Sequence, residues 1–373
     1  MPPLAPVTRQ GERSVSIVSL VSMLIEEAHA LRASDLHLDP TPEGIRVRVR
    51  VDGLLLDRHT LPPHTHGEVI SRIKVLANLR TDEHNAAQDG RFRHTFADGT
   101  WIDVRVSVVP TYHGENAVLR LLTSTQKSPT LASLGFSDVA VAAITHAIER
   151  PGGMVLATGP TGSGKTTTLY TLIGMLVAPE RLIVTIEDPI EYAIPSVRQI
   201  QVNHRTGLSF AHGLRALLRQ DPDVMMVGEV RDEETAAIAV NTALTGHLML
   251  STLHTTDAVT SLPRLLDMGV APYLLASTVE LVIAQRLVRR VCTACAGTGC
   301  EPCNGSGYCG RIALHEVLTV RDRMRDAIAR TAPAHEMAAI AREEGMTTLA
   351  EDGREKVAAG ITTHEEVLRA AYE

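Results

Sequence analysis

The sequence predicts an α/β protein, a parallel sheet with crossover helices, preceded by a smaller α+β domain. Three observations lead there. Gly159-Pro160-Thr161-Gly162-Ser163-Gly164-Lys165-Thr166 fits G-x-x-x-x-G-K-[ST]. It stands between an apolar run, Met154 to Thr158, and a helix-length segment, Thr167 to Leu176. From Leu131 onward, short apolar runs alternate with helical segments, which is the signature of parallel strands joined by helices. Upstream, Ile45, Val47, Val49 and Val51 alternate strictly with Arg46, Arg48 and Arg50. That period of two marks a half-buried strand of a different sheet.

A chain of 373 residues is long for one core and comfortable for two domains. With 44% hydrophobic and 21% charged residues it is an ordinary globular sequence and not a disordered one. A net charge of −7 argues against a nucleic-acid partner. The N-terminus, Met1-Pro2-Pro3-Leu4, has no basic region followed by an apolar core, so no secretory signal is expected. The longest apolar helix candidate, Tyr273 to Ala284, is broken by Glu280 and is too short to span a membrane. The expected location is the cytoplasm. All five cysteines lie between 292 and 309, a clustering that favours metal over disulfides.

In chain order, residues 1–14 read as a loose Pro-rich tail and 15–123 as the α+β domain. Within it, Ser16 to Leu31 has helical spacing, and Ser34 to Pro40 reads as a short strand ended by proline. Asp52-Gly53 signals a hairpin turn, His66 to Leu79 a helix, and Asp98-Gly99 a turn between two further strands. Arg46, Arg48 and Arg50 are expected to form a solvated face. Residues 124–130 read as a linker, and 131–373 as the α/β domain. Its strand candidates are Met154–Thr158, Leu182–Glu187, Val197–Val202, Val224–Gly228 and Leu248–Leu253, with helices Ser209–Gln220 and Asp232–Thr245. Beyond 310 the chain reads as mainly helical, with Thr362/Glu365 or Thr363/Glu366 capping the last helix.

The glycines of the loop let backbone N–H groups turn toward a polyphosphate at a helix N-terminus. The nucleotide-binding residues are therefore Gly159, Pro160, Thr161, Gly162, Ser163, Gly164, Lys165, Thr166 and Thr167. Lys165 is placed to reach the β- and γ-phosphates of ATP, and the Thr166 hydroxyl to hold Mg²⁺. Two strands end in acids, Glu187 and Glu229, suited to orient the metal or polarise water. His254 closes a third strand at the same edge, where it can sense phosphate or serve as a structural histidine. Arg215 and Arg219, spaced i, i+4, share a helix face and suit either phosphoryl charge across a subunit boundary or plain solvation. Cys292, Cys295, Cys300 and Cys303 offer four thiolates in twelve residues, enough for a closed structural Zn²⁺ site. Gly297, Gly299, Gly305 and Gly307 supply the freedom such knuckles need.

Together these stretches resemble the type II secretion and type IV pilus assembly ATPases, the GspE and PilB group of the type II/IV secretion superfamily. The likeness runs from about Ala33 to the C-terminus. Ala33-Ser34-Asp35-Leu36-His37 is similar to that family's N-terminal signature. Thr158–Thr168 is similar to its Walker A, Ile186-Glu187-Asp188-Pro189-Ile190-Glu191 to its Asp box, and Leu218 to Asp232 to its Walker B region. Thr245-Gly246-His247 with Ser251-Thr252-Leu253-His254-Thr255 is similar to its His box.

The resemblance implies a PAS-like N-terminal domain joined to a RecA-like P-loop NTPase domain carrying a zinc element at 289–311. It implies a cytoplasmic homohexamer that binds ATP between its two domains. It would hydrolyse that ATP to drive pilin or pseudopilin assembly, through an inner-membrane platform protein and cytoplasmic docking proteins. It assigns the Walker B glutamate to Glu229, the Asp box to Glu187 and the His box to His254, and brings Arg91, Arg215 and Arg219 toward the phosphates. A retraction motor and an ATP-gated scaffold with weak hydrolysis stay open as alternatives; the zinc element speaks against the first. Two departures stand out. The family's basic residue ahead of Gln88-Asp89-Gly90-Arg91 is missing near Asn85, and the extra N-terminal docking domain of many secretion ATPases is not expected.

Overall fold

A computed structural model describes residues 16–122 and 129–372. The tail 1–14 and all of the linker 124–130 except Pro129 and Thr130 lie outside the described residues. The chain divides into two compact units, 1–126 and 127–373.

The first unit is a six-stranded sheet: β1 (Asp35–Thr41), β2 (Gly44–Val51), β3 (Leu54–Leu61), β4 (Gln88–Thr95), β5 (Trp101–Thr111) and β6 (Gly114–Leu122). Its order is β3-β2-β1-β6-β5-β4, with every neighbouring pair antiparallel. Two helices, Ile17–Ala30 and His66–Leu76, bury Val21, Ile25, Val69 and Ile73 in one core with Val47, Val49, Val104 and Leu119 of the strands. The hairpin at Asp52-Gly53 has positive φ at both residues, 48° and 91°, as a tight primed turn requires. The alternating arginines do face outward, and each meets an aspartate: Arg46 with Asp57 and Arg48 with Asp39, both at 2.6 Å, and Arg50 with Asp35 at 3.8 Å. One boundary differs from expectation. Pro40 does not end β1, which runs on to Thr41. Pairing with β6 stops at Leu38, so a residue without an N–H is tolerated just beyond it.

The second unit holds a seven-stranded sheet: β7 (Gly153–Thr158), β8 (Ile183–Glu187), β9 (Arg198–Gln201), β10 (Val224–Val227), β11 (Leu248–Leu253), β12 (Val279–Val291) and β13 (Tyr308–Thr319). The order is β13-β12-β7-β11-β10-β8-β9, parallel throughout except for the antiparallel edge pair β12–β13. Every residue of β7, β8, β10 and β11 is buried, as expected of strands covered on both faces.

The predicted helix Tyr273–Ala284 is incorrect. The helix Pro272–Thr278 stops, and β12 begins at Val279 beside β7. A continuous apolar run shows no period that separates strand from helix, and β-branched Val279, Val282 and Ile283 favour the strand. Beyond 310 the chain is mainly helical as expected, although β13 first runs on to Thr319. Four helices then follow: Asp322–Ala329, Ala334–Glu343, Leu349–Ala358 and His364–Tyr372. Thr363 caps the last, its hydroxyl accepting from the Glu366 N–H at 3.4 Å, while Thr362 donates to the Arg289 carbonyl instead.

Candidate nucleotide site and cysteine cluster

The glycine-rich loop leaves the C-terminal end of β7 and opens the helix Lys165–Leu176. Gly159, Gly162 and Gly164 all have positive φ. At Gly159 a Cβ would lie 2.5 Å from the Gln285 carbonyl oxygen, so close approach to β12 demands glycine there. Lys165 folds back over the loop and donates to the carbonyls of Gly159 (2.7 Å) and Pro160 (3.0 Å). Burial pushes its ammonium down to about 8, against the opposing pull of the Glu229 carboxylate. Among the described residues the buried hydroxyls of Ser163 and Thr168 find no hydrogen-bond partner, while Thr161, Thr166 and Thr167 are exposed. Unspent donors beside a cationic loop at a helix N-terminus fit a polyphosphate and its Mg²⁺.

Glu229 lies two residues past the end of β10. Its Oε2 meets Arg231 Nε at 2.5 Å and His254 Nε2 at 3.4 Å. Burial lowers the pKa of His254, and the Lys165 charge lowers it further. Lys165, Glu229 and His254 therefore share one electrostatic neighbourhood at the C-terminal edge of the sheet. Glu187 is placed differently. It is buried at the end of β8, accepting from Thr185 Oγ1 (2.5 Å), Gln199 Nε2 (3.1 Å) and the Tyr170 hydroxyl. Burial and the Glu187 carboxylate keep that phenol protonated.

Arg215 and Arg219 are exposed on the helix Phe210–Leu217 and the short turn after it. Arg215 pairs with Glu234 at 2.6 Å, and Arg219 donates to the Arg215 carbonyl at 2.9 Å. Arg91 lies on β4 of the first unit, directly across from Arg105. The loop ahead of it, with Asn85, is anchored by fully buried Lys74, which donates to the Glu83 carbonyl (2.6 Å) and pairs with Glu115 (2.5 Å). The residue missed by sequence reasoning is Arg231. Its only signal is position, two residues after Glu229, where its side chain reaches the same carboxylate.

The four cysteines converge. Their sulfurs all lie within 4.8 Å of one another. Cys292–Cys300 is 3.7 Å, Cys295–Cys303 3.8 Å and Cys300–Cys303 3.5 Å. A tetrahedron with Zn–S bonds near 2.3 Å places sulfurs about 3.8 Å apart, so the donor set fits Zn²⁺. Backbone N–H groups of Gly299 and Gly307 point at the sulfurs of Cys295 and Cys303, both at 3.3 Å, as donors that stabilise metal-bound thiolates do. With four thiolates the set is closed and leaves no position for substrate.

The family model for type II/IV secretion system proteins matches residues 10–369. The type II secretion system protein HxcR of Pseudomonas aeruginosa is 46% identical over 361 residues, which is 95% of this chain and 77% of that protein. The type IV pilus assembly ATPase PilB of Thermus thermophilus is 44% identical over 381 residues, covering 95% of this chain but 43% of that protein. Among solved structures, the Legionella pneumophila ATPase DotB superposes with a TM-score of 0.76 at 25% identity, covering 96% of this chain and 97% of that one. The pilus retraction motor PilT with bound ADP gives 0.69 at 29% identity, covering 94% and 96%. On both the sequence match and the phosphate-loop fold, this chain belongs to the type II/IV secretion system protein family.

Proposed function

We propose that the chain is the ATP-hydrolysing motor of a type II secretion or type IV pilus assembly machine. It works as a homohexameric ring in the cytoplasm, held to the inner membrane by a platform protein and docking proteins. The observation that carries this is the convergence of Lys165, Glu229 and His254 beside the glycine loop. Lys165 exchanges the Gly159 and Pro160 carbonyls for phosphate oxygens, and Ser163 contributes its unspent hydroxyl. Thr166 holds Mg²⁺, which draws charge from the phosphates when bound. Glu229 orients the attacking water and accepts its proton, while His254 fixes the carboxylate. Glu187, held by Tyr170 and Gln199, supplies the second acidic strand end. Arg91, Arg215 and Arg219 bring positive charge to the phosphates in the assembled ring. The cysteine cluster holds structural Zn²⁺.

The test is steady-state ATPase activity against protein concentration for wild type and Glu229→Gln, with mass measured alongside. Activity that rises with hexamer formation and falls at least about a hundredfold in the variant is expected. Tight nucleotide binding without turnover at any concentration would replace the motor with an ATP-gated scaffold.

A further inference from the structure

We propose that the second unit carries a separate site for a phosphorylated small molecule, at the edge of the sheet opposite the phosphate loop. A cavity of about 610 Å³ opens there between the helices Asp138–Ile148, Pro272–Thr278 and Asp322–Ala329. Arg150, Arg321 and Arg325 line it, against two acids, Glu280 and Asp322. The site lies at the start of β7 and β12, roughly 15–20 Å from the loop by strand rise.

Its organising feature is one shared carboxylate oxygen. Glu280, buried beneath the cavity, receives Arg150 Nη1 at 2.5 Å and Arg325 Nη2 at 2.8 Å on the same Oε2. Arg325 spends its other fork on the Ala276 carbonyl at 2.5 Å and is a fixed wall. Arg150 spends only one of its N–H groups among the described residues, and its side chain is 46% exposed. Among the described residues Arg321 makes a single long contact, 3.5 Å to the Glu344 carbonyl. It also precedes the helix Asp322–Ala329, whose first turn has no side-chain cap. The cavity thus holds a net positive charge, two planar forks with unspent donors and an uncapped helix start. That combination matches a phosphate group, whose charge and oxygen geometry suit guanidinium forks. The volume exceeds what a lone phosphate fills and leaves room for a further organic part.

Inorganic pyrophosphate is the probe, by equilibrium dialysis against the full chain at low salt. Because the phosphate loop also accepts pyrophosphate, binding is measured in a Lys165→Ala background, so the result does not depend on the ATPase reading. Saturable binding is expected to persist there, to weaken at least about tenfold with Arg150→Ala plus Arg321→Ala, and to be partly restored by Arg150→Lys. Absence of saturable binding in the Lys165→Ala chain overturns the site. So does equal affinity with and without the two arginines.

Discussion

At the scale of single residues, Lys165 is held in a state that nucleotide must change. Its ammonium is buried, pushed down to about 8, and tied to two carbonyls of its own loop. The sign follows from linkage. Phosphates bind the charged form, and the free protein loses that proton above pH 8, so binding must restore it. ATP affinity is therefore expected to fall by up to about tenfold per pH unit above 8, and to level off below about pH 7. Titration calorimetry in buffers of different ionisation enthalpy checks this through proton uptake on binding above pH 8. An affinity unchanged between pH 7.5 and about 9.5 would mean that Lys165 does not carry the phosphate charge. Arg231 sits on the same Glu229 oxygen as His254, so the carboxylate beside the loop is held by a cation two residues away. Sequence motifs name the glutamate but not the cation that holds it.

At the scale of elements, the zinc knuckle and the C-terminal helices each make a measurable claim. The knuckle 292–303 contains a short turn, Glu301–Cys303, and glycines at positive φ, so few residues of regular structure hold it. Metal analysis is expected to find one zinc per chain. Cys303→Ser is expected to release it and lower the melting temperature, because three remaining thiolates leave the tetrahedron open. The helix Leu349–Ala358 is fixed to β13 by a buried polar group of His315, Asp352 and Lys356, with the His315 ring against Phe136. Ser137 N–H approaches His315 Nε2 at 3.4 Å, and Lys356 Nζ lies 3.3 Å from Nδ1. Burial, and then the Lys356 charge, push His315 down to about 3 from 6.5. A histidine kept neutral in the folded state contributes stability that is complete above 6.5 and lost as pH falls toward 3. As pH falls from 6.5 to 5 this group's share of the loss steepens toward about 1.4 kcal/mol per pH unit. Denaturant titrations should show that slope in wild type and a flatter one in His315→Gln.

At the scale of the whole molecule, what could be read in advance was what is local in the chain. The phosphate loop, the arginine strand of β2 and the cysteine spacing each declare themselves within about a dozen residues. β12 did not, because an element buried on both faces has no polar side to set a period. The surroundings of Glu187 did not either, since Tyr170 and Gln199 come from a helix and a neighbouring strand brought to it only by folding. The proposed ring would extend the same limit to residues that act across subunits. Arg219 is exposed and, among the described residues, makes only a local backbone contact, which leaves its guanidinium available to a neighbour's site. If it does, Arg219→Ala and Glu229→Gln damage different parts of each composite site. Each variant alone is expected to be nearly inactive. Rings assembled from an equal mixture would contain sites in which an intact Glu229 faces an intact Arg219 from the next subunit. Random assembly makes these about a quarter of all sites. ATPase activity of the mixture should then rise to roughly that fraction of wild type if sites fire independently. No gain over the separate variants, in a mixture shown by mass to exchange subunits, would place Arg219 and Glu229 on the same chain's site.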